Sequence, residues 1–246
     1  MCIRDSTYNE EDSEVRQLVE YNENPIRRFP YKTAEFRIVE GVTYLETDEG
    51  PIPLEIFGAH NLNNLAGAKW ICQHMGIDEM DFYEAVVSFS GASKRLEKIA
   101  SHKSTVVFKD FAHAPSKVSA TTAAVKHQYP HKRLLACLEL HTYSSLNESF
   151  LKEYKNTLDK ADEAVVFYSA KALEIKHMKP IKHEQISMAF EHPNLKVCSD
   201  PLSFQTLLKN QSYTNTALLL MSSGNYGGLN FDQLKNIISQ SVFESK

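Results

Sequence analysis

The chain has 246 residues, 42% hydrophobic and 24% charged, with a formal net charge of −4. That is an ordinary globular composition, long enough for one large domain or two smaller ones with real cores. No basic face is implied, which argues against a nucleic-acid partner. No apolar run approaches the roughly 20 residues of a membrane span, and no signal peptide is visible.

Cys2, Cys72, Cys137 and Cys198 show no C-x-x-C spacing. Cys137 and Cys198 lie in apolar runs and read as buried free thiols, which suits a reducing cytoplasm. Residues 1–24 are polar and acidic without sustained periodicity. Met1 to Ser6 looks unrelated to the rest of the chain and reads as non-native. Residues 35–57 predict antiparallel strands around Glu40-Gly41 and Asp48-Glu49-Gly50. Such a meander needs something to pack on, and nothing upstream is long enough, a first hint of a C-terminal fragment. Gly58 opens a helix to about Met75, with Leu65, Ala68, Cys72 and Met75 on one face and Gly76 as its C′ residue. Asp78 or Asp81 caps a second helix with Phe82, Val86 and Phe89 inward. Residues 90–97 read as an interdomain linker.

From Thr105 the pattern alternates. Apolar strands at 105–109, 133–140, 163–168, 195–198 and 216–221 are followed by helices at 115–128, 146–159, 183–191, 201–209 and 230–240, the third after a loop. Near-continuous apolar strands between amphipathic helices predict an α/β fold with a mostly parallel sheet covered on both faces. Right-handed crossovers put the strand C-termini on one edge. That edge collects Asp110 and His113, Glu139 and His141, Ser169, Asp200, and Ser222 to Asn225, where open α/β sheets place their ligands.

Four stretches carry candidate chemistry, each with a plainer alternative. In Gly58-Ala59-His60-Asn61-Leu62-Asn63-Asn64, the Asn61 and Asn64 amides share a helix face and suit a purine edge; alternatively Asn61 is an N-cap. Arg95 in the linker suits a phosphate; alternatively it is a solvated member of a charged run. Asp110 and His113 pair a carboxylate with an imidazole at a strand end; alternatively Asp110 serves backbone donors. Ser222-Ser223-Gly224-Asn225-Tyr226-Gly227-Gly228 resembles an anion nest; a tight turn explains it equally well. The ten histidines show no metal spacing.

The order G-x-H-N-x-x-N, G-x-x-[KR]-R-x-E and D-[YF]-A-H-x-P, followed by a βα-rich tail, resembles the Mur ligases, the ATP-dependent amide-forming enzymes of peptidoglycan synthesis. The resemblance runs from about Gly58 to the end. It implies that residues 1–88 are the β-rich and helical end of a central ATPase domain, and residues 89–246 a C-terminal Rossmann-like domain. It further implies that Asn61 and Asn64 lie near the adenine and ribose of ATP, that Arg95 contacts phosphate at the domain hinge, and that Asp110 contacts the nucleotide. His113 would lie near the incoming amino acid, and Glu139, Ser222, Ser223 and Asn225 would bind substrate. The reaction implied joins an amino acid or peptide to UDP-N-acetylmuramate through an acyl phosphate, with ATP and Mg²⁺. The P-loop, the carbamylated lysine and the main Mg²⁺ ligands of the family would lie upstream, so the chain is expected to be a fragment, inactive alone. Leu140-His141-Thr142-Tyr143-Ser144-Ser145 lacks both arginines of the L-alanine-adding branch, and the Ser222–Leu229 tail is closer to the muropeptide-recycling branch, so a tripeptide acceptor is preferred. The chain departs from the family at Lys109 and Ala114. A non-catalytic binding module and a folate polyglutamate ligase are the competing readings.

Overall fold

The structure is a computed structural model and describes residues 4–102 and 104–243. The chain divides into two compact units, Met1–Gly91 and Ala92–Lys246.

The first unit opens with β1 (Arg4–Asn9), α1 (Ser13–Glu20) and β2 (Ile26–Tyr31). β1 and β2 pair in parallel, Arg4 opposite Ile26 and Asn9 opposite Tyr31. The absence of periodicity before residue 24 therefore concealed two elements. A six-residue polar strand and an eight-residue helix are too short to impose a period. The helix is specified instead by its cap: the Asp12 carboxylate accepts from Glu14 N–H and Val15 N–H, both at 3.0 Å. Of the stretch read as non-native, residues 1–3 lie outside the described residues. Arg4 to Ser6 are built into β1, where Asp5 takes two 2.9 Å bonds from Arg27.

β3 (Phe36–Val39), β4 (Val42–Leu45) and β5 (Ile52–Leu54) form the expected antiparallel meander. Its packing partner lies downstream rather than upstream. Leu45, Leu54 and Ile56 meet Leu62 and Leu65 of α2 (Ala59–His74) and Phe82 and Val86 of α3 (Glu79–Val87). The inward face of α2 also differs from expectation, since Ala68 and Met75 are exposed. The reason is that α2 serves two sheets: Tyr31 of β2 packs at Gly67, and Phe29 lies against Trp70 and His74. A helix covering two surfaces has no single apolar stripe. Asp78 caps α3, accepting from Met80 N–H at 2.8 Å, and Phe89 falls beyond its end, exposed.

The second unit runs β6 (Glu97–His102), β7 (Thr105–Asp110), α4 (Pro115–Gln128), β8 (Arg133–Leu140), α5 (Glu148–Leu151), β9 (Glu163–Tyr168), α6 (Ala170–Ile175), α7 (His183–Phe190), β10 (Leu195–Cys198), α8 (Pro201–Lys209), β11 (Thr216–Met221) and α9 (Phe231–Phe243). The sheet order is β10-β9-β8-β11-β7-β6, parallel except for β6. The fold is the expected α/β class, a mostly parallel sheet with flanking helices. β7, β8, β9 and β11 are buried almost throughout, which is why they read as continuous apolar runs. Cys137 and Cys198 are buried free thiols as expected, and burial pushes both thiols up.

Three local expectations fail. The linker reading covered Glu97, the first residue of β6, and no strand was expected at 97–102. β6 is a half-exposed edge strand with a register shift between Lys98 and Ala100, so it shows no alternation. The helix expected at 146–159 is only α5 and a 3₁₀ turn at Lys152–Tyr154; Asn156 then takes a left-handed φ of 62°. The loop expected after β9 contains α6, capped by the Ser169 hydroxyl on Ala172 N–H at 3.1 Å.

Candidate functional site

β11, the last strand in the chain, inserts between β7 and β8. The strand order reverses there, and three C-terminal ends lie side by side. Ser222, the first residue past β11, joins them. Its N–H donates to the Asp110 carbonyl at the end of β7 at 2.9 Å, and its hydroxyl donates to Glu139 Oε2 on β8. Three residues singled out from sequence are thus linked directly. Glu139 is 3% exposed. Its Oε2 also accepts Tyr226 N–H at 2.8 Å, and His141 Nδ1 stands 3.6 Å from Oε1.

Glu139 shapes the glycine loop. A Cβ on Gly224 would stand 2.8 Å from Glu139 Oε2 and 3.0 Å from the His141 ring, so glycine permits the close approach. Gly224 N–H donates to Ser222 Oγ at 2.7 Å, and Gly228 and Leu229 N–H donate to the Asn225 carbonyl at 3.0 and 2.8 Å. The loop is therefore a hydrogen-bonded turn. Among the described residues the Ser223 hydroxyl is buried with no partner, and the Asn225 side-chain oxygen accepts Gly228 N–H at 3.2 Å.

Sequence reasoning gave no role to Tyr226, which locks this loop. Its φ is 53°, a left-handed value for a non-glycine. Packing compensates: the ring stacks on Phe204 at 4.8 Å, and the hydroxyl donates to the Cys137 and Met221 carbonyls, both 2.8 Å. Burial, with Cys137 and Glu139 close by, pushes its phenol far up, so it stays a donor. A tyrosine inside a glycine-rich turn was the available signal.

Asp110 is 5% exposed. Its Oδ1 accepts Ala112 N–H and its Oδ2 accepts Leu96 N–H, both at 2.6 Å. Phe111 N–H donates to the Lys94 carbonyl at 2.8 Å. Lys94 and Leu96 both take left-handed φ, 59° and 48°. The segment around Arg95 is thus folded onto the end of β7, and Arg95 is exposed with its guanidinium 5.9 Å from the Phe111 ring centre. His113 is half-buried. Its Nδ1–H donates to the Phe111 carbonyl at 2.9 Å, which leaves Nε2 as the acceptor in the neutral ring. Tyr154 O–H donates to the His113 carbonyl at 2.5 Å, and burial pushes that phenol up to about 12.

In the first unit, Asn61 is not the N-cap of α2. Gly58 holds that position, and Asn61 Nδ2 donates back to the Phe57 carbonyl at 2.9 Å. Asn64 is exposed. Of the remaining strand-end residues, Ser169 caps α6 and Asp200 caps α8, accepting Ser203 N–H at 2.9 Å. Among the described residues no cluster of three or more His, Cys, Asp or Glu could hold a metal ion.

No family model matches the chain. The UDP-N-acetylmuramate–L-alanine ligase of Ruthia magnifica is 28% identical over 235 residues, 91% of this chain and 50% of that protein. The MurF ligase of Thermotoga maritima in complex with ADP superposes with a TM-score of 0.65 at 15% identity, covering 99% of this chain and 55% of that one. A murein peptide ligase of Psychrobacter arcticus superposes with a TM-score of 0.55 at 18% identity, covering 91% and 48%. The likeness to the two solved structures is one of fold. The chain spans about half the length of these relatives.

Proposed function

We propose that this chain, similar in sequence and fold to the Mur ligases and corresponding to the C-terminal part of one, is a fragment of an ATP-dependent amide-forming ligase of peptidoglycan synthesis or recycling. The ligase joins an amino acid or peptide to UDP-N-acetylmuramate, and a tripeptide is the preferred acceptor. The observation that carries the reading is the Ser222 junction. It brings Asp110 and Glu139 to one shared strand-end edge, beside the unpartnered Ser223 hydroxyl. Polar groups of both hydrogen-bonding senses suit an acceptor that carries both an ammonium and a carboxylate.

The muramoyl carboxylate takes the γ-phosphoryl group of ATP. The acceptor amine then attacks that acyl phosphate, forming the C–N bond as phosphate leaves. His113, with Nδ1–H committed to Phe111, presents Nε2 to accept the amine's proton. Asn61 and Asn64 read the adenine and ribose, and Arg95 contacts phosphate. Asp110 reaches the nucleotide through lone pairs its backbone bonds leave over. Mg²⁺, when bound, would supply charge stabilisation to the transferring phosphoryl group. Glu139, Ser222, Ser223 and Asn225 frame the acceptor. A second reading, L-alanine as acceptor, is favoured by the name of the Ruthia magnifica relative.

The test is phosphate release with UDP-N-acetylmuramate, ATP and Mg²⁺, offering tripeptide or L-alanine. Two proteins are assayed: the chain alone, and the chain joined behind the unmatched half of the Ruthia magnifica ligase. No release from the chain alone and tripeptide-dependent release from the fusion are expected. Release with L-alanine alone overturns the tripeptide assignment. Release from the isolated chain overturns the fragment reading, and a fusion silent with both acceptors overturns the ligase reading.

A further inference from the structure

We propose that a cavity in the first unit binds an organic ammonium ion with an apolar body, held against Tyr31, Trp70 and Tyr83 and drawn in by the carboxylates of Glu10, Glu35 and Asp48. The cavity measures about 530 Å³, within the roughly 300–1,000 Å³ usual for small-molecule sites. It lies wholly within the first unit, among the chain leaving β2, the meander, α2 and α3. It exists because α2 serves two sheets. Gly67 admits the Tyr31 ring of β2 on one face of the helix, and Leu65 joins Leu45 and Phe82 on another. Ala34 and Ala66 line the gap between these packed surfaces and are too short to fill it.

The lining is aromatic where it is not charged. Leu45, Leu65 and Phe82 are buried beneath the cavity. Tyr31, Trp70 and Tyr83 are half-buried beside it. Aromatic faces attract a cation more than they attract a neutral group, because the ring quadrupole is negative there. The first unit already makes such contacts within itself: the Arg37 guanidinium lies 5.7 Å from the Tyr44 ring centre and the Lys69 ammonium 5.3 Å from that of Tyr83.

Charge is the second observation. The cationic groups around the cavity are already matched. Lys69 donates to Glu79, which is not in the lining, at 2.8 Å and to the Tyr83 hydroxyl at 3.1 Å. The Thr33 bonds, with the charge of Lys32 added, hold the Glu11 carboxyl below its usual range. Of the lining carboxylates, Glu46 takes Arg37 at 2.9 Å. Glu10, Glu35 and Asp48 enter no ion pair among the described residues. A negative rim therefore stands beside aromatic walls. An anion is repelled by both and a neutral ring gains nothing from the rim, whereas an ammonium ion is attracted by both. Asn61 and Asn64 do not line this cavity. The α2 residues that do, Leu65, Ala66, Lys69 and Trp70, fall at i, i+1, i+4 and i+5, centred on another face of the helix.

Trp70 is the only tryptophan in the chain, so its fluorescence reports on the cavity directly. Titration of the full chain with benzyltrimethylammonium at low salt is expected to change that emission saturably. Benzyl alcohol, which is neutral, and phenylacetate, which is anionic, are expected to bind at least about fivefold more weakly. The double variant Glu35→Gln, Asp48→Asn alters two exposed side chains. It is expected to keep the parent's melting temperature and to weaken the cation at least about threefold, as added salt does in the parent. Nuclear magnetic resonance locates the probe, with shifts expected at the Trp70 indole and at the Ala34 and Ala66 amides. A change that does not saturate overturns the proposal. So does equal binding of benzyl alcohol or phenylacetate, an affinity that neither salt nor the double variant alters, or shifts centred on Asn61 and Asn64. The cavity and the ligase reading stand or fall separately, since phosphate release tests only the second.

Discussion

Asp110→Asn separates a carboxylate that holds its own backbone from one that waits for a ligand. Both Asp110 oxygens accept main-chain N–H groups at 2.6 Å, from Leu96 and Ala112. Asparagine keeps one acceptor and turns an NH₂ toward the other N–H. One charge-assisted bond, worth about 1.5–3 kcal/mol, is lost, and a donor is left without a partner at about 1–3 kcal/mol. These overlap, so the net expectation is about 2–4 kcal/mol. For a unit of this size that is a fall of roughly 5–15 °C in melting temperature. The assay is thermal unfolding followed by far-ultraviolet circular dichroism, with amide exchange read at Leu96 and Ala112. Both amides are expected to lose protection, and the left-handed turn at Lys94 and Leu96 to loosen with them. A variant as stable as the parent, with both amides still protected, refutes this role, because a carboxylate kept only for a ligand leaves the unliganded protein unchanged.

Gly224→Ala places a methyl 2.8 Å from Glu139 Oε2; a loss of about 1–3 kcal/mol is expected, with shifted amide resonances at Ser222 and Tyr226. Glu139→Ala strands the Ser222 hydroxyl and Tyr226 N–H and should cost about 2–5 kcal/mol in urea unfolding, whereas Glu139→Gln, which keeps one oxygen for both donors, should cost much less. Tyr226→Phe removes one hydroxyl from the Cys137 and Met221 carbonyls and should cost about 1 kcal/mol by the same measurement. In the first unit the Lys69 ammonium donates to Glu79 at 2.8 Å and holds its carboxyl below the usual range, with Tyr83 adding a 2.6 Å bond. A lowered folded-state pKa stabilises above the unfolded value and is lost as pH falls through the folded one. A pH titration of stability should therefore show a decline below the ordinary glutamate range of about 4 to 5, which Glu79→Gln flattens.

The second unit was largely legible because its strands are buried on both faces. Thr105–Asp110, Arg133–Leu140, Glu163–Tyr168 and Thr216–Met221 carry the apolar runs such burial demands. Alternation with helices then fixed a parallel sheet, and from that the shared edge of Asp110, Glu139 and Ser222. The insertion of β11 between β7 and β8 was not legible, because order within a sheet is set by non-local pairing. The first unit was read less well where local pattern was weak: β1 and α1 are short, and α2 divides its contacts between two sheets. At the candidate site the residue types were visible but their bonding was not. The sequence offered backbone donors as one role for the Asp110 carboxylate, but it did not name Leu96 and Ala112 as those donors, nor say that Ser222 is shared between two strand ends.

The most direct test of the proposed acceptor site at the strand ends is a nuclear magnetic resonance titration of the isotope-labelled chain with the tripeptide acceptor. Shifts confined to His113, Glu139, His141 and Ser222 to Asn225 are expected. Shifts that cluster elsewhere, or that spare the glycine loop, would contradict it.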